Sequence, residues 1–141
     1  MKQPYYLVLK PEGLMYWEDL IGHIESKWEL SDIKTFKYTE EIVDGMYPET
    51  DSKLKRAINA YLHERDGIIL EITGDNISFE KVVEFTGKEI SPYECQIGSI
   101  RRVFGYPAPF FQNGVPLFYN IIHRPKNTKE NAFLEGIFSS A

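Results

Sequence analysis

Two short apolar runs, Tyr5-Tyr6-Leu7-Val8-Leu9 and Ile68 to Thr73, limit the fold of this chain more than anything else in it. Pro4 and Pro11 bound the first, and the Asp66-Gly67 turn precedes the second. Each is close to continuously apolar instead of alternating with polar residues, which predicts a strand covered on both faces. A sheet covered on both sides needs helices to cover it. The sequence between and around the runs supplies them. Leu14, Trp17, Leu20, Ile21, Ile24 and Trp28 recur at helical spacing and form one apolar stripe, with Glu18, Asp19, Glu25 and Lys27 elsewhere on the surface. His23 lies in the same helix and is given no function.

The remaining elements follow from turn and cap residues. Ser31 to Tyr38 mixes β-branched and aromatic residues with alternating lysines, the pattern of an exposed or edge strand. Thr39 is placed to cap a short helix from Glu40 to about Asp44, with Gly45 ending it. Asp51 or Ser52 caps a clearer helix carrying Leu54, Ala57, Ile58, Tyr61 and Leu62 on one face. Gly74-Asp75-Asn76 turns into a helix with Phe79, Val82 and Val83 that stops near Gly87. From Lys88 to Gly114 no period of either kind is sustained, and a stretch of this length is usually functional. Val115 to Ile122 reads as the last strand. Asn127 and Glu130 look like a capping box on a final helix bearing Phe133, Leu134, Ile137 and Phe138. Strand, helix, strand, helices, strand, helix, strand, helix predicts one α+β domain over residues 1–141. The expected form is a ferredoxin-like sandwich, a four-stranded antiparallel sheet with helices packed on it.

Composition narrows the partners. With 141 residues and a net charge of −5, the chain fits one domain and lacks the broad basic surface that nucleic acid demands. Any positive charge used on a ligand must be local. The single cysteine, Cys95, excludes an internal disulfide. No leader and no apolar run of membrane-spanning length is read, so the expectation is a cytoplasmic protein without a membrane partner.

Three short motifs carry chemistry. Lys10-Pro11-Glu12-Gly13 closes the first apolar run, Gly98-Ser99-Ile100-Arg101 sits in the long loop, and Asn120-Ile121-Ile122-His123 ends the last strand. His123 precedes Arg124-Pro125, so it leaves the strand on a stiff turn. An imidazole so placed suits a nucleophile, an acid–base or a ligand. In this order and at this separation, from about Tyr5 to Phe138, the three motifs resemble those of the nucleoside diphosphate kinases. The resemblance implies transfer of a γ-phosphate from a nucleoside triphosphate to a nucleoside diphosphate through a phosphohistidine. It implies His123 as the carrier and Glu135, reached with one extra residue after the histidine, as its orienting carboxylate. Lys10 and Arg101 match the family's phosphate contacts, Tyr47 a hydroxyl near the phosphate, Asn120 a contact to the sugar, and Leu54 the place of a base clamp. Mg²⁺ is expected to arrive on the nucleotide phosphates, and a homo-oligomer is implied.

The departures are specific. The family's second arginine, on the helix before the long loop, falls at Val83, with Lys81 and Lys88 as possible substitutes. A threonine on the loop falls at about Ile90 or Ser91. Leucine replaces an aromatic ring at position 54, and covers a base without stacking on it. Arg124 and Pro125 stand where glycine and serine are usual, and more residues separate Phe104 from Asn120. Two classes of function therefore remain open from sequence: a kinase, or a nucleotide-binding or assembly module that keeps the fold with little turnover.

Overall fold

The computed structural model describes residues 3–141. Strands β1 (Tyr5–Leu9), β2 (Glu29–Lys37), β3 (Asp66–Thr73) and β6 (Ile122–His123) form one sheet in the order β2-β3-β1-β6. Every neighbouring pair in that sheet is antiparallel. This is the expected α+β ferredoxin-like arrangement, with β1 and β3 central and β2 at one edge. A separate hairpin joins β4 (Phe110–Gln112) to β5 (Val115–Leu117).

The alternation of side chains along β1 explains its unbroken apolar sequence. Tyr6 and Val8 face one core with Ile69, while Leu7 and Leu9 face another with Leu70 and Ile72. The helices α2 (Glu40–Met46), α3 (Ser52–Leu62) and α6 (Thr128–Ser140) contribute Val43, Met46, Ala57, Leu62 and Leu134 to the first. The helices α1 (Trp17–Glu25), α4 (Phe79–Thr86) and α5 (Ile100–Phe104) cover the second with Leu20, Ile24, Val82 and Ile100. Each such fully buried aliphatic chain contributes roughly 1.5–3 kcal/mol of transfer free energy.

The caps fall where the sequence puts them. Thr39 Oγ1 accepts from the Ile42 amide at 3.2 Å, Asp51 Oδ1 from Lys53 at 3.0 Å and Asn127 Oδ1 from Glu130 at 2.9 Å. Glu130 completes its half of the box one residue early, accepting from the Lys126 amide at 2.8 Å. Gly45 is a correction. It does not end α2 but lies inside it, and a Cβ there would sit 1.9 Å from Cζ of Phe133. The missing side chain lets the aromatic ring of α6 seat on the backbone of α2. Gly45→Ala is therefore expected to destabilise by about 1–3 kcal/mol through overpacking. Helix propensity alone would favour alanine by roughly 1 kcal/mol, so the two effects have opposite signs. Urea unfolding decides between them, and a stabilised variant would mean that Phe133 moves aside freely.

Three other expectations are revised. The first helical stripe divides into a 3₁₀ turn over Pro11–Tyr16 and α1, leaving Trp28 beyond the helix though buried. The stretch 88–114 holds a 3₁₀ turn at Pro92–Glu94, the single-turn α5 capped by Ser99, and β4. Elements this short show no period. The strand expected over 115–122 breaks in two. Asn113 and Gly114, both at positive φ (52° and 75°), make a two-residue hairpin of β4 and β5, and Ile121, at φ 76°, ends the irregular link to β6. Among the described residues no helix is long and apolar enough to cross a membrane.

Candidate active site

The sheet places His123 beside Val8 on the face covered by α2, α3 and α6. The chain reaches it through an unusual turn. The Ile122 amide bonds to the Asn120 carbonyl at 2.8 Å across Ile121, whose positive φ is rare for a β-branched residue. Three neighbours hold this conformation. The Lys10 amide donates to the Ile121 carbonyl at 2.8 Å, Glu12 Oε2 accepts from the Ile121 amide at 3.2 Å, and Gly13 packs beneath. A Cβ on Gly13 would lie 2.9 Å from Ile121 Cγ2, which accounts for the glycine of the first motif. Backbone held in so sparse a region persists only where its surroundings over-determine it, and such places cluster at functional sites.

Lys10 and Asn120 meet here. Lys10 Nζ donates to Asn120 Oδ1 at 2.9 Å and lies 3.6 Å from Glu12 Oε2, and the lysine is only 8% exposed. Asn120 Nδ2 donates to the Ile90 carbonyl at 3.4 Å, so the loop at that position offers a backbone oxygen. Glu12, which the sequence reading quoted in a motif without assigning it work, is a hub. Its Oε1 also accepts from the Tyr61 hydroxyl at 2.8 Å. Burial, then the Glu12 charge, raises the Tyr61 hydroxyl pKa well above its ordinary value, so it remains a donor.

Tyr47, at the end of α2, packs edge-on to His123 with ring centres 5.1 Å apart. Arg101 comes from α5 and is 5% exposed. Its guanidinium donates to the carbonyls of Gly87 at 3.3 Å, Glu89 at 2.8 Å and Ile122 at 2.9 Å, fastening the strand that carries the histidine. Leu54 packs against the first core together with Phe110, Val115 and Tyr119, so the β4–β5 hairpin lies over the same side of α3.

Glu135 is not brought together with the histidine. It is exposed on α6 and its charge acts on the Tyr6 hydroxyl. The inner side of α6 is taken instead by Asn131, which accepts from the Tyr6 amide at 3.1 Å and donates to the Pro4 carbonyl at 3.0 Å, and by buried Leu134. Lys81 and Lys88 do not reach the site either. Lys81 bonds to Asn76 and Lys88 lies 4.0 Å from Glu84 on the surface. The additional cation is Arg124, 8% exposed, whose Nη2 donates to the Gly87 carbonyl at 3.2 Å.

The electrostatics follow from this crowding. Burial and the adjacent Arg124 lower the Arg101 pKa to about 10. Burial first, then Arg101, Arg124, Lys10 and Lys126, holds the His123 pKa well below its ordinary value. The imidazole is thus neutral at pH 7, with a free lone pair, under a group of cations that favours an arriving anion.

No family model and no curated protein matches the chain. Solved structures do. The chain is similar to a nucleoside diphosphate kinase from Borrelia burgdorferi with bound vanadate and ADP, at 17% identity and TM-score 0.74, covering 94% of this chain and 83% of that one. A Halobacterium salinarum nucleoside diphosphate kinase in complex with CDP aligns at 17% identity and TM-score 0.74, covering 98% and 88%. A family protein from Babesia bovis aligns at 20% identity and TM-score 0.73, covering 96% and 87%. The likeness is one of fold.

Proposed function

We propose that the protein moves the γ-phosphate of a nucleoside triphosphate to a nucleoside diphosphate through a phosphohistidine at His123. The observation that carries this is the neutral imidazole at the end of β6, set among the buried cations Lys10, Arg101 and Arg124 with Glu12 as the near carboxylate. The nucleotide-bound neighbours with the same fold support it.

In the first half-reaction a ring nitrogen of His123 attacks the γ-phosphorus, the P–N bond forms, and the P–O bond to the β-phosphate breaks. The nucleoside diphosphate leaves with the electron pair. In the second, a terminal oxygen of the acceptor diphosphate attacks the same phosphorus and the P–N bond breaks. Lys10 and Arg101 stabilise the charge on the transferring group. Asn120 takes the sugar hydroxyls and Tyr47 steadies the ring. Mg²⁺ enters as part of the substrate. The Lys10 ammonium and the Arg101 and Arg124 guanidinium groups around His123 suit phosphate oxygens, and the one near carboxylate, Glu12, is taken up by Lys10, Tyr61 and the Ile121 amide. Leu54 covers the base without stacking, so binding is dominated by the phosphates.

Incubation with γ-labelled ATP and Mg²⁺ tests the reading, since phosphohistidine is acid-labile and alkali-stable. Absence of such label would overturn it. A second reading, a nucleotide-binding module with little turnover, is favoured by the three backbone bonds that already occupy Arg101. Binding of ADP without any label would select it.

The lowered His123 pKa gives an independent check. An unperturbed imidazole half-protonates near pH ~6.5. The His123 signal in an NMR titration, assigned with a His123→Gln variant, is expected not to titrate between pH 8 and about 6. A midpoint near the ordinary value would contradict the buried cationic setting. The sign for stability is the same: the unfolded chain binds this proton more readily, so the contribution is present above the unfolded pKa and lost as pH falls below it.

A further inference from the structure

The segment after the histidine holds an arrangement that phosphate transfer at His123 does not require. Arg101 Nη1 and Arg124 Nη2 both donate to one neutral oxygen, the Gly87 carbonyl, at 3.3 and 3.2 Å. The Nε atoms of both arginines are buried with no hydrogen-bond partner. Among the described residues no carboxylate lies within ion-pair range of either guanidinium. Glu130, whose charge acts on Arg124, already accepts from the Lys126 amide. Capping the carboxyl end of α4 would occupy one arginine. Two like charges, each about nine-tenths buried and with donors to spare, are expensive unless an anion joins them. Gly87 makes the approach possible, since a Cβ there would lie 2.9 Å from Arg101 Cβ and Cδ.

We infer that Arg124 and Arg101 form a paired guanidinium clamp for a polyphosphate chain, with Arg124 a substrate-contacting residue. The clamp's geometry stands alone, and its tie to a nucleotide rests on the transfer reading above. Planar guanidinium groups suit this ligand class because each can offer two parallel donors to phosphate oxygens.

Calorimetry with inorganic tripolyphosphate and with ADP, on the unaltered protein, Arg124→Gln and Arg124→Lys, tests it. Glutamine keeps a donor for the Gly87 carbonyl and removes the charge. Its affinity for both ligands is expected to fall by about 10- to 100-fold, the scale of losing a hydrogen bond to a charged group. Lysine keeps the charge without the fork and should lose a smaller factor. It also serves as the measurement should the glutamine variant not fold. Unchanged tripolyphosphate affinity in a folded variant, or no binding by the unaltered protein, would overturn the clamp and leave Arg124 a helix cap. Tripolyphosphate bound without ADP would keep the clamp and identify free polyphosphate as its ligand. Self-labelling separates the two ideas. Labelling that fails while tripolyphosphate binding depends on Arg124 removes the transfer reading and keeps the clamp. Normal labelling of His123 in Arg124→Gln with unaltered affinity does the reverse.

Discussion

His123→Ala is expected to take up no acid-labile label from γ-labelled ATP, a loss of at least ~10³-fold against the unaltered protein, since a covalent route disappears with its nucleophile. The fold should remain. His123 holds its place in the sheet through backbone pairing with Val8, and its ring packs edge-on against Tyr47 without belonging to either hydrophobic core. The protein's other two histidines are poor substitutes. His23 is a half-buried residue of α1, stacked on Phe85 and with Nε2 3.2 Å from the Gly98 carbonyl, and His63 is exposed beyond α3. Alkali-stable label persisting in the variant would place the phosphate on another residue and end the mechanism.

Lys10→Met is expected to slow single-turnover labelling by at least ~10²-fold, the scale of losing a preorganised charge on a transferring group. Methionine retains most of the buried stem, so the loss reports charge more than packing. Glu12 still accepts from Tyr61 and Ile121, which limits collateral damage. Removing one of the cations that depress the His123 pKa also raises it. A slow variant whose histidine has become easier to protonate would carry both marks. An unchanged rate would make Lys10 a turn-holding residue, tied to Asn120 and Glu12 and without a part in transfer.

The strands that are buried on both faces were the most legible part of the sequence, because continuous apolar runs bounded by prolines or by glycine turns admit few other structures. Caps were legible too: Thr39, Asp51 and Asn127 are polar residues directly before periodic stretches. The hairpin of β4 and β5 was missed although Asn113-Gly114 between apolar segments is a strong turn signal. Reading the residues up to Gly114 as aperiodic and Val115 to Ile122 as one strand hid it. The motif residues Lys10, Asn120, Arg101, Tyr47 and His123 fall in one neighbourhood. Glu12 was overlooked because a carboxylate next to a turn looks solvated until its partners from β6 and α3 are known. Glu135 could not be placed from spacing alone, since the side of α6 that faces β1 is decided by Asn131 and Leu134.

The two-residue strand β6 has a kinetic consequence. It meets β1 across almost the whole sequence, and contacts of such separation carry the largest loop-closure entropy. The β4–β5 hairpin and the capped helices can form locally, but the pairing of Val8 with His123 must wait until the central strands are assembled. Few residues then secure it, so the same edge is also the first to open in sub-global fluctuations. Reactivity at the imidazole would accordingly report on completed folding: a chain that is nearly native, with every helix in place, would still lack its nucleophile's setting.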